Sequence, residues 1–440
     1  MTFTFIDLFS GIGGFHAALS ALGGECSYSV EIDKRAANVY LSNWGIESLG
    51  DITQDAGEKI SPKIKKHDVL VAGFPCQPFS KSGAQQGMEE TRGTLYWNIL
   101  KIIDARKPAL VILENVRNIA GPRHTHEWNI IIKTLRERGY RVADAPAVFS
   151  PHLLPKERGG RPQIRERVFI CAVKVRTKNK NLLIADTPVL KLQPVDGWNP
   201  KNWNLVKDLP MDSRVKGCEL SKAEKLWIDA WNEFVIEIKK ATGGKMPGFP
   251  IWGDEWKLTK ELVVPDGTPK WKENFLRKNA DFYTTHRKFI DKWVKDWDFY
   301  SEKFPSSRRK LEWQAQDTPT LWKTIMHMRP SGIRAKKPNY VPALVAITQT
   351  SIIGPKRRKL SVIEGARLQG LPSGFKFPEQ DNATTFKQLG NGVNVGVVWH
   401  VVKECVLQNE EILQKTCPQL LAAVKAAPLS PDKYLEDKFS

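Results

Sequence analysis

Five short apolar runs, each followed by glycine or a charged residue, constrain this chain more than any other feature. They lie at 3–9, 28–32, 69–73, 110–113 and 168–173, and the segments between them, at 13–22, 34–43, 95–106 and 126–138, space their apolar residues at helical intervals. Strand alternating with helix predicts an α/β unit with a mostly parallel sheet and right-handed crossovers. Runs that stop at Gly, Asp or Glu deliver polar groups to the carboxyl ends of strands, the edge at which open α/β sheets bind ligands. The pattern covers residues 1–173, the predicted first domain.

The alternation stops near Lys174. From there to 360 the chain holds 37 of its 67 Lys and Arg but only 21 of its 48 Asp and Glu, and 11 of its 15 tryptophans lie between Trp198 and Trp322. The overall charge of +19 is therefore a property of the middle segment. A basic stretch this rich in Trp predicts a folded module with most indoles in its own core, facing a polyanionic partner. Basic clusters stand at Arg308-Arg309-Lys310 and Lys356-Arg357-Arg358-Lys359. Helical spacing returns at 361–368 and 394–408, so the chain leaves the first domain and comes back to it. The expected division is 1–173, 174–375 and 376–440, with 425–440 a loosely held end. Six scattered cysteines without a Cys-x-x-Cys pair argue against a zinc site, a redox couple or a disulfide framework, and no metal site is expected. No run is apolar enough to span a membrane, and the start carries no basic flank or cleavable apolar segment; a cytoplasmic location is expected.

Three strand ends in succession suggest an adenosine-containing cofactor. Ser10-Gly11-Ile12-Gly13-Gly14 is a tight glycine turn entering a helix, Glu31-Ile32-Asp33 places a carboxylate where ribose hydroxyls can donate, and Gly50-Asp51-Ile52 follows a third segment. These features do not choose between a dinucleotide and S-adenosylmethionine. Pro75-Cys76-Gln77-Pro78 is more telling, because prolines hold a thiol in a turn just past a buried strand, outside regular structure. The polar, Gly-containing run 80–93 is long enough for a lid over that thiol. Glu114 then follows a fourth strand, and Gln163, Arg165 and Arg167 alternate on one face of the segment entering a fifth.

In this order, Asp7-Leu8-Phe9-Ser10-Gly11-Ile12-Gly13-Gly14, Glu31-Ile32-Asp33, Gly50-Asp51-Ile52, Pro75-Cys76-Gln77, Arg92-Gly93-Thr94-Leu95, Glu114-Asn115-Val116, Gln163 to Arg167, Arg367 to Pro372 and Gln388 to Val393 resemble the motif set of the cytosine-C5 DNA methyltransferases. The likeness covers 1–173 and 361–402, with one departure at Asn394, where many members have proline. It implies a Rossmann-like, S-adenosylmethionine-dependent methyltransferase domain and a smaller, irregular target recognition domain. It further implies that Cys76 attacks C6 of cytosine, that Glu114 holds N3, and that Arg165 and Arg167 serve the base and orient Glu114. S-Adenosyl-L-methionine would lie against Asp7, Phe9, Gly11, Gly13, Gly14, Glu31, Ile32, Asp51, Ile52, Pro75, Leu95 and Asn391. DNA contacts would come from Gln77, Ser80, Ser82, Arg92 and Gln163, with Arg329, Arg334, Lys336 and Lys337 as further candidates in the basic module.

The expected partner is double-stranded DNA. The resemblance implies a monomeric bacterial enzyme, on the nucleoid while bound, with any cognate restriction endonuclease a separate protein. An RNA cytosine methyltransferase sharing the motif set is the nearest rival, and paired DNA and RNA substrates separate the two. A catalytically silent DNA-binding relative is disfavoured by intact Cys76, Glu114 and Arg165, and a cofactor-dependent oxidoreductase by the Pro-Cys-Gln turn.

Overall fold

A computed structural model describes residues 2–75, 94–175, 180–185, 192–210, 215–344 and 350–440. The chain divides into two compact units: Met1–Trp203, Pro342–Ile347 and Val362–Ser440 form one, and Asn204–Val341 with Thr348–Ser361 the other. The first boundary falls well past Lys174. Residues beyond it still belong to the first unit, since strand Ile184–Ala185 pairs with its sheet and the indoles of Trp198 and Trp203 both donate to the His152 carbonyl, at 2.9 and 3.0 Å.

In the first unit β1 (Thr4–Leu8), β2 (Glu25–Val30), β3 (Val69–Gly73) and β4 (Leu110–Val116) run parallel in the order β2-β1-β3-β4. The central strands are buried on both faces, which is why they read as unbroken apolar runs rather than alternating ones. Helices α1 (Gly14–Ala21), α2 (Lys34–Trp44), α3 (Leu95–Arg106) and α4 (Thr125–Glu137) alternate with them. Asp33 caps α2, its carboxylate accepting from the amides of Arg35 and Ala36 at 2.9 and 3.0 Å. Two short strands absent from the sequence reading, β5 (Tyr140–Ala143) and β6 (Ala147–Phe149), pair antiparallel with β7 (Arg167–Lys174), and β8 (Ile184–Ala185) completes the sheet beside β5. The fold is Rossmann-like, with its antiparallel pairs gathered at the β7 end.

Strand β7 lies antiparallel to β4, with Val116 opposite Arg167 and Glu114 opposite Phe169. The amino end of β7 therefore meets the carboxyl ends of the parallel strands. That reversal explains why the candidate arginines, Arg165 and Arg167, lie before and at the start of the strand while the other polar groups follow theirs.

Unit 2, taken alone, shows no strand and helix alternation but has more regular structure than its texture predicts. Helices α5 (Lys222–Ala241) and α6 (Lys270–Asp296) accompany a six-stranded sheet ordered β9-β10-β12-β11-β13-β14, formed by Ile251–Trp252, Lys310–Gln314, Gly332–Lys336, Ile325–Arg329, Ile352–Ile353 and Arg358–Lys359 respectively. Its core is aromatic: Trp231 and Trp293 are buried with ring centroids 5.3 Å apart, and Phe234 stacks on Trp256 at 5.7 Å. Most tryptophans are thus structural, as expected; Trp271 is the exception, at 61% exposure.

The return segment supplies α7 (Val362–Leu368), α8 (Asn382–Asn391), α9 (Val395–Gln408), α10 (Glu410–Thr416), α11 (Pro418–Ala426) and α12 (Asp432–Phe439). Helix α12 corrects the expectation of a loose end. Leu435 is buried, Phe439 lies 5.2 Å from Trp44 and 6.0 Å from Phe375, and Asp432 pairs with Arg161 at 2.8 Å.

Candidate active site

The glycine turn after β1 is forced by crowding. Phe9, Gly11 and Gly13 take positive φ, at 55, 54 and 92°, and a β-carbon on Gly13 would stand 2.1 Å from Nε1 of Trp44. That indole donates to the Ile12 carbonyl at 3.1 Å and so fixes the turn from below. From the side, the Gly11 amide donates to Oε2 of Glu31 at 2.8 Å, while the Asp33 amide holds Oε1 at 2.8 Å. A left-handed phenylalanine is a strained residue of the kind found at binding sites.

Above the turn opens a cleft of about 630 Å³. Phe9, Gly11, Gly14, Glu31, Ile32, Asp51, Ile52, Pro75, Leu95 and Asn391 line it, so ten of the twelve cofactor residues expected from sequence meet there. Asp7 and Gly13 do not line it: Asp7 is fully buried within the sheet, where burial raises its carboxyl above the ordinary range. Sequence reading missed Arg35, Thr384 and Lys387, which also face the cleft. The last two sit on α8, whose polar surface gave no helix signal. Gly14 admits the return segment, since a β-carbon there would lie 2.7 Å from the Val393 carbonyl oxygen.

The far wall carries Glu114, Asn115 and Arg167. Glu114 is buried, and its Oε1 forms an ion pair with Nε of Arg167 at 3.0 Å. Gly73 is its neighbour in register on β3, and a β-carbon there would sit in ordinary contact with Oε2, at 3.4 Å. Burial pushes the Glu114 carboxyl up, with Arg167 and then Arg165 opposing. Asn115 donates to the Phe74 carbonyl at 2.8 Å, tying β4 to the residue before Pro75. Arg165 is buried but does not grip Glu114. Its Nη2 donates to the carbonyls of Gly390, at 2.8 Å, and Gly392, and its Nη1 reaches Leu344 at 3.4 Å. Burial and then Arg167 lower its guanidinium to about 9, so it stays charged at neutral pH. Gln163 is fully buried close by in sequence. Cys76, Gln77, Ser80, Ser82 and Arg92 lie outside the described residues.

In unit 2, Arg329, Arg334 and Lys336 stand on the β11–β12 hairpin, and Lys337 pairs with Asp317 at 2.5 Å. The 356–359 cluster is partly structural: Arg357 covers the Trp322 ring, Arg358 is buried, and Lys359 pairs with Glu224 at 2.9 Å.

Comparison with known proteins agrees with this geometry. The chain is 47% identical to the Type II methyltransferase M.AluI of Cellulosimicrobium cellulans over 94% of each protein. It is 44% identical to M.HhaI of Haemophilus parahaemolyticus over 38% of this chain and 47% of that one. Among solved structures, the Dnmt2 methyltransferase of S. pombe covers 93% of this chain and 99% of its own at 14% identity and a TM-score of 0.47, too loose a likeness to carry an argument. The profile of C-5 cytosine-specific DNA methylases matches residues 3–407. The chain therefore belongs to the C-5 cytosine-specific DNA methylase family and is a DNA (cytosine-5-)-methyltransferase.

Proposed function

We propose that the chain moves a methyl group from S-adenosyl-L-methionine to carbon 5 of a cytosine flipped out of double-stranded DNA, through a covalent bond between Cys76 and C6, and that it protects host DNA within a restriction-modification system. One observation carries the reading: Glu114, Arg167 and Pro75, the residue before Cys76, line the same cleft as Phe9, Glu31, Asp51 and Asn391. Base-handling and cofactor-handling groups need that adjacency. The Type II names of the relatives support the protective role.

The cleft suits the cofactor. Its volume lies in the range of pre-formed ligand sites, Ile32 offers an apolar face at 73% exposure, and Glu31 and Asp51 supply acceptors for hydroxyl and amino groups. When bound, the cofactor supplies an electrophilic methyl on sulfur. The chain's own residues must do the rest. Carbon 5 of cytosine is a poor nucleophile, so the Cys76 thiolate adds to C6 and the ring electrons move toward C5, which then takes the methyl. Loss of the C5 proton expels the thiolate and restores the ring. Glu114 is suited to hold a proton at N3 while the sulfur is attached, because burial already favours its protonated form. Arg167 keeps that carboxyl in place. Extracting the base costs a few kcal/mol, which contacts of the basic unit 2 would offset.

Bisulfite sequencing of plasmid treated with the protein should reveal protected cytosines in one sequence context. DNA carrying 5-fluorocytosine in that context should trap a covalent complex, since fluorine cannot leave as a proton does, and Cys76→Ser should form neither product nor adduct while still binding cofactor and DNA. A fully active Cys76→Ser protein would refute the mechanism.

A further inference from the structure

The polar face of the unit 2 sheet holds an arginine set apart from its basic neighbours. Glu312 on β10, Arg334 on β12 and His327 on β11 are direct partners across three strands, so their side chains emerge on one face, while Leu311, Ile333, Trp313, Ala335 and Met326 alternate with them toward the core. Nε of Arg334 donates to Oε2 of Glu312 at 2.6 Å. The other carboxylate oxygen accepts from the Gln314 side-chain amide, so the carboxylate is held from both sides. His327, buried and bonded to Ser351 at 2.8 Å, flanks Arg334 on the opposite strand. Both Arg334 and Glu312 keep solvent access, at 25% and 30% of their side chains. Among the described residues no hydrogen bond engages Nη1 or Nη2 of Arg334.

We propose that Arg334, aimed by Glu312, reads a guanine of the recognition sequence; this rests on the DNA-methylation reading above. A guanidinium anchored through Nε presents its two terminal nitrogens as a fixed fork, and guanine offers two acceptors, O6 and N7, on its major-groove edge that match such a fork. Adenine replaces one of those acceptors with a donor. A phosphate could also accept from the fork, but Glu312 cancels the charge that would attract it and adds a carboxylate that would repel it. The pair thus keeps direction and surrenders net charge, which favours a neutral base edge over the backbone. Arg329 and Lys336, in the flanking rows of the same face, make no ion pair among the described residues and are placed to supply the phosphate attraction. Every duplex site that contains a target cytosine also contains a guanine opposite it.

The test starts from the site found by bisulfite sequencing of the wild type; if no C5-methylated site is found, the methylation reading itself fails. Duplexes then carry 7-deazaguanine, which lacks N7, at each guanine of that site in turn. At one guanine the analogue should slow the wild type, yet make no further difference to Arg334→Lys, which keeps the charge but loses the fork. On the unmodified site Arg334→Lys should lose about 10- to 100-fold in kcat/KM, tolerate replacement of that one base pair, and retain the wild-type Tm and S-adenosylmethionine affinity. Glu312→Ala should lose discrimination at the same position, because the fork is no longer aimed. The proposal is overturned if neither variant changes the ranking of substituted sites, whether rates stay the same or fall equally on all sequences, and equally if both variants lose Tm along with activity on every sequence. An Arg334→Ala variant that loses rate equally on all sequences, with Arg334→Lys restoring it, would assign Arg334 to a phosphate and overturn the proposal.

Discussion

Arg165 donates from Nη2 to the carbonyl of Gly390 at 2.8 Å, across 225 residues of chain. The contact joins the segment before β7 to the end of α8, where Asn391 and Gly392 form part of the cleft wall. An arginine whose motif position suggests a role at the base is, in this geometry, also the group that fastens the return segment. Replacing it leaves the Gly390 and Gly392 carbonyls without their buried donor.

Arg165→Ala should accordingly cost about 2–6 kcal/mol of stability, from two orphaned carbonyls that desolvation penalises at about 1–3 kcal/mol each. S-Adenosylmethionine binding, measured by calorimetry without DNA, should weaken at least about tenfold, because Asn391 loses its support. Arg165→Lys retains the charge but not the two-carbonyl span and should recover only part of either quantity. Unchanged cofactor affinity in the alanine variant would confine Arg165 to the base.

Glu114 gives a prediction with a definite sign. Its carboxyl is raised by burial, against the opposing pull of Arg167 and Arg165, so the folded protein binds that proton more tightly than the unfolded chain does. The stability it contributes is complete below the ordinary carboxylate range and is lost as pH rises through the raised value. Glu114→Gln does not titrate. The Tm of the wild type minus that of the variant should therefore be largest in acid and shrink toward neutral pH, whereas a gap that widens with pH would mean that the arginines outweigh burial. Methyl transfer by the variant should fall about 10²- to 10⁴-fold in kcat, the usual span for a lost proton-handling group.

The sheet was legible where burial on both faces made strands into apolar runs, as at Val69–Gly73 and Leu110–Val116. Strands β5 and β6 escaped because four and three residues carry too little pattern. The direction of β7 was not legible, since an apolar run looks the same either way. Unit 2 hid its sheet for a different reason: Leu311 meets Ile333, and Ile352 meets Met326, through pairings between short strands that no local spacing announces. The candidate residues that line the cleft were recognisable as polar strand ends in a fixed order. Their partners were not when the partner was a carbonyl, as Gly390 is to Arg165, or a helix without an apolar stripe, as α8 is.

The carboxyl-terminal helix should matter to the cofactor cleft despite its distance in sequence. Phe439 packs on Trp44, and Trp44 holds the Ile12 carbonyl under the glycine turn. The Glu436 carboxylate accepts from the Ser373 amide and hydroxyl. Removing residues 432–440 takes away the buried Leu435 side chain and uncovers the face of Trp44 that Phe439 packs on, a loss of about 2–4 kcal/mol at the usual value for large apolar side chains. The truncated protein should melt lower and bind S-adenosylmethionine more weakly, with the DNA sequence it selects unchanged. A truncation that leaves both Tm and cofactor affinity intact would show that the turn is held without it.

Asn394, the departure from the family's usual proline, does two jobs that proline cannot. As the N-cap of α9 its Oδ1 accepts from the Val397 amide at 2.9 Å, and its Nδ2 donates to the Leu368 carbonyl at 2.9 Å, binding α9 to the end of α7. The backbone, at φ −79°, would accept a proline ring, so Asn394→Pro tests the side chain rather than the turn. Loss of the cap costs about 1–2 kcal/mol, and the buried Leu368 carbonyl left without a donor adds about 1–3 kcal/mol. Asn394→Asp separates the two terms, since it keeps the capping oxygen but turns an acceptor toward an acceptor. Chemical denaturation should place Asn394→Asp no higher in stability than Asn394→Ala; an aspartate variant close to wild type would mean that capping alone accounts for the residue.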